Sequence, residues 1–161
     1  MNSIPDFEDM LAAMNEHHVR YLIVGGLAFI FHAKPRYTKD MDLWVQGTEE
    51  NIFCANHALA EYGSPELLDI NAPAQVLQIG VAPNRIDILV DMESLTFEEA
   101  WESHVVAPYG GVEAHWIGLE SLIKIKGSID HPRHLEDARV LRQVLDMKSK
   151  KQKTGTIPYI L

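Results

Sequence analysis

Cysteine is all but missing from this chain. Cys54 stands alone, so no internal disulfide can form and no thiolate cluster can hold a metal. Its expected state is a small buried hydrophobe. Positive charge is also scarce. Lys and Arg number 14 against 23 Asp and Glu, a net charge of -9, and such a field repels a polynucleotide at long range. The one basic run is "KSKKQK", Lys148 to Lys153, expected to be a solvated tail. Composition therefore does not indicate a nucleic-acid partner. No apolar run approaches the roughly 20 residues that cross a bilayer. The opening "MNSIPDFEDM" lacks the basic and apolar regions of a secretory leader. No membrane partner and a cytoplasmic location are the expectation.

What is present fits one folding unit. A chain of 161 residues with 47% hydrophobic content can bury a sizeable core without staples. Ser3 followed by Asp6 has the form of a helix cap, and Phe7, Met10, Leu11 and Met14 then recur at helical spacing to about His17. "RYLIVGG" reads as a strand closed by glycine, and "LAFIFHAK" as a helix stopped ahead of Pro35. "MDLWVQG" is a second strand. The helix after it has Thr48 as its cap and Gly63 as its stop. "AQVLQIGVAPNRIDILVD" reads as two strands turning at "APN". Then come a short helix in "LTFEEAWESH", a strand in "GVEAHWI", and two helices in "GLESLIKIKGSI" and "RHLEDARVLRQVLDMK". The expected class is α/β or α+β, a mixed central sheet flanked by helices. The expected limits are one domain over 1–147, with a core at 19–90 and C-terminal helices at 119–147, and a basic tail over 148–161.

Three acids draw the eye. Asp40 and Asp42 sit two apart at the start of a strand, so they leave one face with Cα atoms roughly 7 Å apart. With 10 Asp in 161 residues, chance alone supplies about 0.6 such pairs, so the pair needs its context. Asp87 lies inside "RIDILVD", where Ile86, Ile88 and Val90 take the opposite face. If the two strands are neighbours, three carboxylates converge. Like charges so placed raise one another's pKa unless a cation neutralises them. Hard oxygen ligands on rigid strands suit Mg²⁺ or Mn²⁺. Gly25 and Gly26, between a strand and a helix, either simply turn the chain or offer bare backbone amides at a helix start to an anion.

In order, the chain has strand, Gly25-Gly26, helix, "RYTKDMD", then a strand bearing one acid. This resembles the polymerase-β-like nucleotidyltransferase superfamily, and within it the AbiEii/AbiGii toxin-like branch, in which "VGGLA" and R-x-T-x-D-x-D recur, here as Arg36, Thr38, Asp40 and Asp42. The resemblance runs over roughly Val19 to Leu145 and includes the ending "LESLIKIKG…HPRHLEDARVL". It departs at His131 and His134, where that ending would carry Arg and Asp, and in having Gly-Gly for Gly-Ser. Pro132, Leu135 and Asp137 keep their places. The resemblance implies an NTP substrate, a hydroxyl acceptor on protein, RNA or small molecule, and Mg²⁺ or Mn²⁺ on Asp40, Asp42 and Asp87, with an antitoxin or regulator protein as a further partner. Asp87 would also activate the acceptor. Gly25, Gly26, Arg36, Thr38, Lys39 and Lys126 would hold the nucleotide, Lys124 competing with Lys126 for that role. The alternative is a nucleotidyltransferase fold without catalysis, acting as a binding or regulatory module.

Overall fold

A computed structural model describes residues 2–72 and 74–154. Six strands, β1 (Tyr21–Val24), β2 (Asp40–Val45), β3 (Val76–Ile79), β4 (Arg85–Leu89), β5 (Val105–Tyr109) and β6 (Val112–Trp116), form one sheet in the order β3-β4-β2-β1-β6-β5. Neighbouring strands run antiparallel except β1 beside β6 and β2 beside β4. The sheet is therefore mixed, and helices cover both faces.

Strand alternation divides the core in two. Tyr21, Ile23, Met41, Leu43, Val45, Ile86 and Ile88 point to one side, where α1 (Pro5–Glu16) and α3 (Glu49–Tyr62) pack. Leu22, Val24, Trp44 and Leu89 point to the other, against α4 (Phe97–Glu102), α5 (Leu119–Ser128), α6 (Pro132–Thr154) and the Ala28 and Phe29 side of α2 (Gly25–His32). By the same period of two, Asp40, Asp42, Arg85 and Asp87 leave the sheet on this second side. Both faces of the central strands are covered, so β1 is buried at every position.

Local punctuation explains most boundaries. The Thr48 side chain accepts from the Asn51 amide at the start of α3, and Gly63, left-handed at φ 97, stops it. At α1 the cap expected from Ser3 is absent. Ile4 is the first flanking residue, no side chain caps it, and Pro5 opens the helix, a position where the missing N–H costs nothing. Strand β5 was not foreseen. "VVAPY" carries Pro108, which reads as a strand breaker, but β5 is one of the sheet's two edge strands, where a missing donor is tolerated. Helix α6 continues to Thr154, through the residues expected to start a basic tail, and residues 155–161 of that tail lie outside the described residues. Cys54 is half-buried and packs against the first core. Among the described residues no helix is long and apolar enough to cross a membrane.

Candidate active site

The site is assembled by register. β2 and β4 run parallel with Asp40 opposite Arg85 and Asp42 opposite Asp87. On the other side of β2, Asp42 is opposite Val24, the residue before Gly25. One carboxylate oxygen from each of Asp40, Asp42 and Asp87 lies within 4.8 Å of the others. The spatial convergence expected from sequence is thus present.

The glycine pair closes the approach from above. Gly25 has φ +65, and a Cβ there would lie 2.1 Å from Asp42 Oδ2. At Gly26 a Cβ would lie 2.7 Å from Thr38 Oγ1. The residue flanking α2, Val24, has no side chain that could cap it, and among the described residues no side-chain hydrogen bond to the first-turn N–H groups is present, which leaves them able to meet another acceptor. These glycines and Asp40 and Asp42 border a cleft of about 410 Å³ whose remaining wall is largely cationic: Arg36, Lys39, Lys126 and Arg133, with Tyr37, Thr38 and His134. Larger clefts of about 550 Å³ beside Trp44 and about 480 Å³ beside Asp6 and Glu61 contain no Lys or Arg. The glycine-bordered one sets two carboxylates against four cationic side chains, whereas a cleft of about 380 Å³ beside Cys54 holds one of each, Glu50 and Arg20.

Charge in the cluster is not balanced. Burial first, then the negative charges of Asp40 and Asp87, push Asp42 up to about 7, with Arg85 opposing. Arg85 supplies the cluster's one direct cation among the described residues. Its Nη2 donates to Asp40 Oδ2 at 2.7 Å and to Asp87 Oδ2 at 3.3 Å. Its Nε lies 3.2 Å from Asp87 Oδ1, but at an angle that leaves both atoms without a hydrogen bond. Asp87 is 7% exposed, so Oδ1 is a buried, unsatisfied acceptor, which is costly unless something binds it. That orphan oxygen, the convergence and the all-oxygen donor set fit a divalent cation such as Mg²⁺ or Mn²⁺.

The cationic wall is held by a residue that sequence reasoning did not place in the site. Asp137, on α6, is 5% exposed. It accepts from Arg36 Nη1 at 2.7 Å and Nη2 at 2.9 Å, and from Lys126 Nζ at 3.0 Å. Burial would raise the Asp137 pKa, but the hydrogen bonds from Arg36 and Lys126 outweigh it and hold the carboxyl below its ordinary value. The Arg36 guanidinium also lies 4.0 Å from the centre of the Phe29 ring. Lys126 is buried, whereas its competitor Lys124 is exposed and lies 3.9 Å from Glu99. Lys126 Nζ also meets His134 Nδ1 at 3.4 Å. An ammonium can only donate, so Nδ1 accepts and the ring proton sits on Nε2. Burial, then the Lys126 charge, lowers the His134 pKa.

Each residue expected in the site is therefore placed: Asp40, Asp42 and Asp87 in the cluster, Gly25, Gly26, Arg36, Thr38, Lys39 and Lys126 on the cleft. His131 and His134 meet edge-on at 5.6 Å and belong to neither group of metal-spaced side chains among the described residues. Arg85 and Asp137 were missed. The signal for Arg85 was its position two before Asp87 on a strand. The signal for Asp137 was its retention in "HPRHLEDARVL".

No family model and no curated protein matches the sequence. Solved structures do match in fold. ANT(2'')-Ia in complex with adenylyl-2''-tobramycin superposes with a TM-score of 0.55 at 18% identity, over 93% of this chain and 97% of that one. The lincosamide antibiotic adenylyltransferase LnuA, lincomycin-bound, gives 0.60 at 13%, over 89% and 99%. A putative nucleotidyltransferase from Thermotoga maritima gives 0.56 at 14%, over 88% and 91%. At these identities the likeness is one of fold: a mixed sheet flanked by helices, shared with nucleotidyltransferases.

Proposed function

We propose that the protein is a metal-dependent nucleotidyltransferase that moves NMP from an NTP to a hydroxyl acceptor. The observation that carries this reading is the set of three carboxylates on adjacent parallel strands, two of which, Asp40 and Asp42, border a glycine-edged cleft with a cationic wall. Nucleotidyl transfer needs positioning and charge neutralisation more than a protein nucleophile. Asp40, Asp42 and Asp87 would hold Mg²⁺ or Mn²⁺. Bound there, the ion would neutralise phosphate charge and polarise the phosphorus. The amides of Gly25 and Gly26, with Arg36, Thr38, Lys39 and Lys126, would orient the triphosphate. The acceptor oxygen forms its bond to the α-phosphorus while the bond from that phosphorus to the bridging oxygen breaks. Pyrophosphate leaves, and the hydroxyl proton passes to Asp87.

Two of the fold neighbours are described with adenylyl-2''-tobramycin and with lincomycin, which supports a small-molecule hydroxyl as one acceptor class beside protein and RNA. The motifs "VGGLA" and R-x-T-x-D-x-D support the AbiEii/AbiGii-like branch, in which an antitoxin or regulator protein would bind this chain. Co-expression with the product of an adjacent gene tests that partner, and absence of a complex removes it. Arg85 filling part of the cluster favours a second reading, a nucleotide-binding module without catalysis. Incubation with α-labelled NTPs, Mg²⁺ and cell extract separates the two. Transfer of label that Asp42→Ala lowers by at least about a thousandfold supports the enzyme. Labelling that survives Asp42→Ala defeats it, and nucleotide binding without Mg²⁺ or transfer selects the module.

A further inference from the structure

We propose that Arg85 is a resident counter-ion of the carboxylate cluster, one that must release Asp40 and Asp87 before the three acids can converge on a divalent cation. This rests on the reading of the cluster as a metal site. The placement follows from the strand: Arg85 is two residues before Asp87 and so shares its face, and it stands opposite Asp40 in register. Its fork therefore reaches both acids. The oxygens it uses, Asp40 Oδ2 and both oxygens of Asp87, are ones a divalent cation would need. A guanidinium and a metal ion draw on the same lone pairs, so one excludes the other from those oxygens.

The grip is uneven. The 2.7 Å bond to Asp40 is a strong charge-assisted one. Toward Asp87 the contacts are longer, at 3.3 and 3.2 Å, and Oδ1 still lacks a hydrogen bond. No ion pair joins Arg85 to Asp42 among the described residues, so one positive charge serves three acids. The Arg85 side chain is 36% exposed, which gives it an outlet to solvent when it lets go. Arg85 thus keeps the acids together in the absence of metal and sets a threshold for metal entry. The threshold is more easily passed by a cation that arrives with phosphate, since phosphate offers the freed guanidinium a new anion.

The test is calorimetric titration of Mn²⁺ into the wild-type protein and the variants R85Q, R85K and K39Q, with thermal unfolding to establish that each is folded. Lys39 borders the same cleft but makes no ion pair among the described residues, so K39Q removes the same charge without freeing a carboxylate. R85Q is expected to bind Mn²⁺ about three- to tenfold more tightly than wild type, the scale of a partly exposed ion pair. K39Q is expected to gain less than about twofold by the same reasoning. R85K, whose single ammonium cannot span both acids, should fall between wild type and R85Q, and it decides the matter if R85Q does not fold. Equal affinity in wild type and the Arg85 variants, or an equal gain in K39Q, overturns the role of Arg85 and leaves the metal site standing. Absence of Mn²⁺ binding in wild type, R85Q and R85K overturns both.

Discussion

At the residue scale, Gly25 carries two independent demands. Its φ of +65 lies in the left-handed region, and the space a Cβ would fill is taken by Asp42 Oδ2. Gly63 has only the first demand: φ is +97 and nothing lies within 4 Å of a Cβ there. The two glycines therefore separate strain from obstruction. Gly63→Ala should cost about 1–2 kcal/mol, the left-handed penalty alone, and leave nucleotide transfer unchanged. Gly25→Ala adds displacement of a carboxylate to that strain, so it should cost about 3 kcal/mol and lower transfer more than about a hundredfold, a common consequence of ~1 Å misplacement. Urea unfolding and the labelled-NTP assay measure both. A Gly25→Ala protein as active as Gly63→Ala would show that the Asp42 position is not set by this contact.

At the scale of elements, the cleft depends on how α6 meets the rest. Asp137 ties that helix to Arg36, in the segment between α2 and β2, and to Lys126 on α5. A buried carboxylate between two cations is a poor source of net stability compared with an apolar contact, yet removing one partner strands the others. The Lys126 side chain is 6% exposed and has little water to turn to. Asp137→Asn should thus destabilise the protein by about 3 kcal/mol, within the range for breaking a buried pair, read as a fall in urea midpoint. Arg36 and Lys126 would also lose their orientation toward the triphosphate, so KM for the nucleotide should rise more than kcat falls. A variant with normal stability and normal KM would show that Asp137 organises neither cation.

At the scale of the whole molecule, the cluster makes stability depend on pH and on metal together. Asp42 is held up at about 7 in the folded chain, above its ordinary value of 3.8. Between those values the folded state binds the proton that the unfolded chain has lost, so stability rises as pH falls through this window. Asp137, held below its ordinary value, acts in the opposite sense and only in more acidic solution, where stability falls as its carboxyl is protonated. The metal-free protein should accordingly melt at higher temperature near pH 5 than near pH 8, and Asp42→Asn should flatten that slope. Mg²⁺ should raise the melting temperature at pH 8 by mass action and lose that effect as Asp42 takes up its proton. Thermal scans at pH 5, 6.5 and 8, with and without Mg²⁺, check the set. A wild-type profile identical to that of Asp42→Asn would exclude Asp42 as the source.

Much of this was legible in the chain before folding. Apolar period and turn residues determined β1, β2, β4 and the helices, because "YLIV" bounded by Gly25, the Thr48 and Gly63 punctuation and the alternation in "RIDIL" express local rules of backbone and side chain. The same local rules put Asp40 and Asp42 on one face. Other features depended on partners far away in sequence. Ser3 lost its capping role to Pro5, and "VVAPY" became a strand only because its place at the sheet edge leaves Pro108 without a required donor partner. The meeting of Asp87 with Asp42 was a conditional expectation until the parallel register of β2 and β4 supplied it. Arg85 and Asp137 gained their partners the same way, from contacts 45 and 101 residues distant along the chain. Sequence alone determined which residues could carry the charge and which backbone could bend. The tertiary structure decided which charges share a site, because electrostatic and hydrogen-bond partners are set by distance in space.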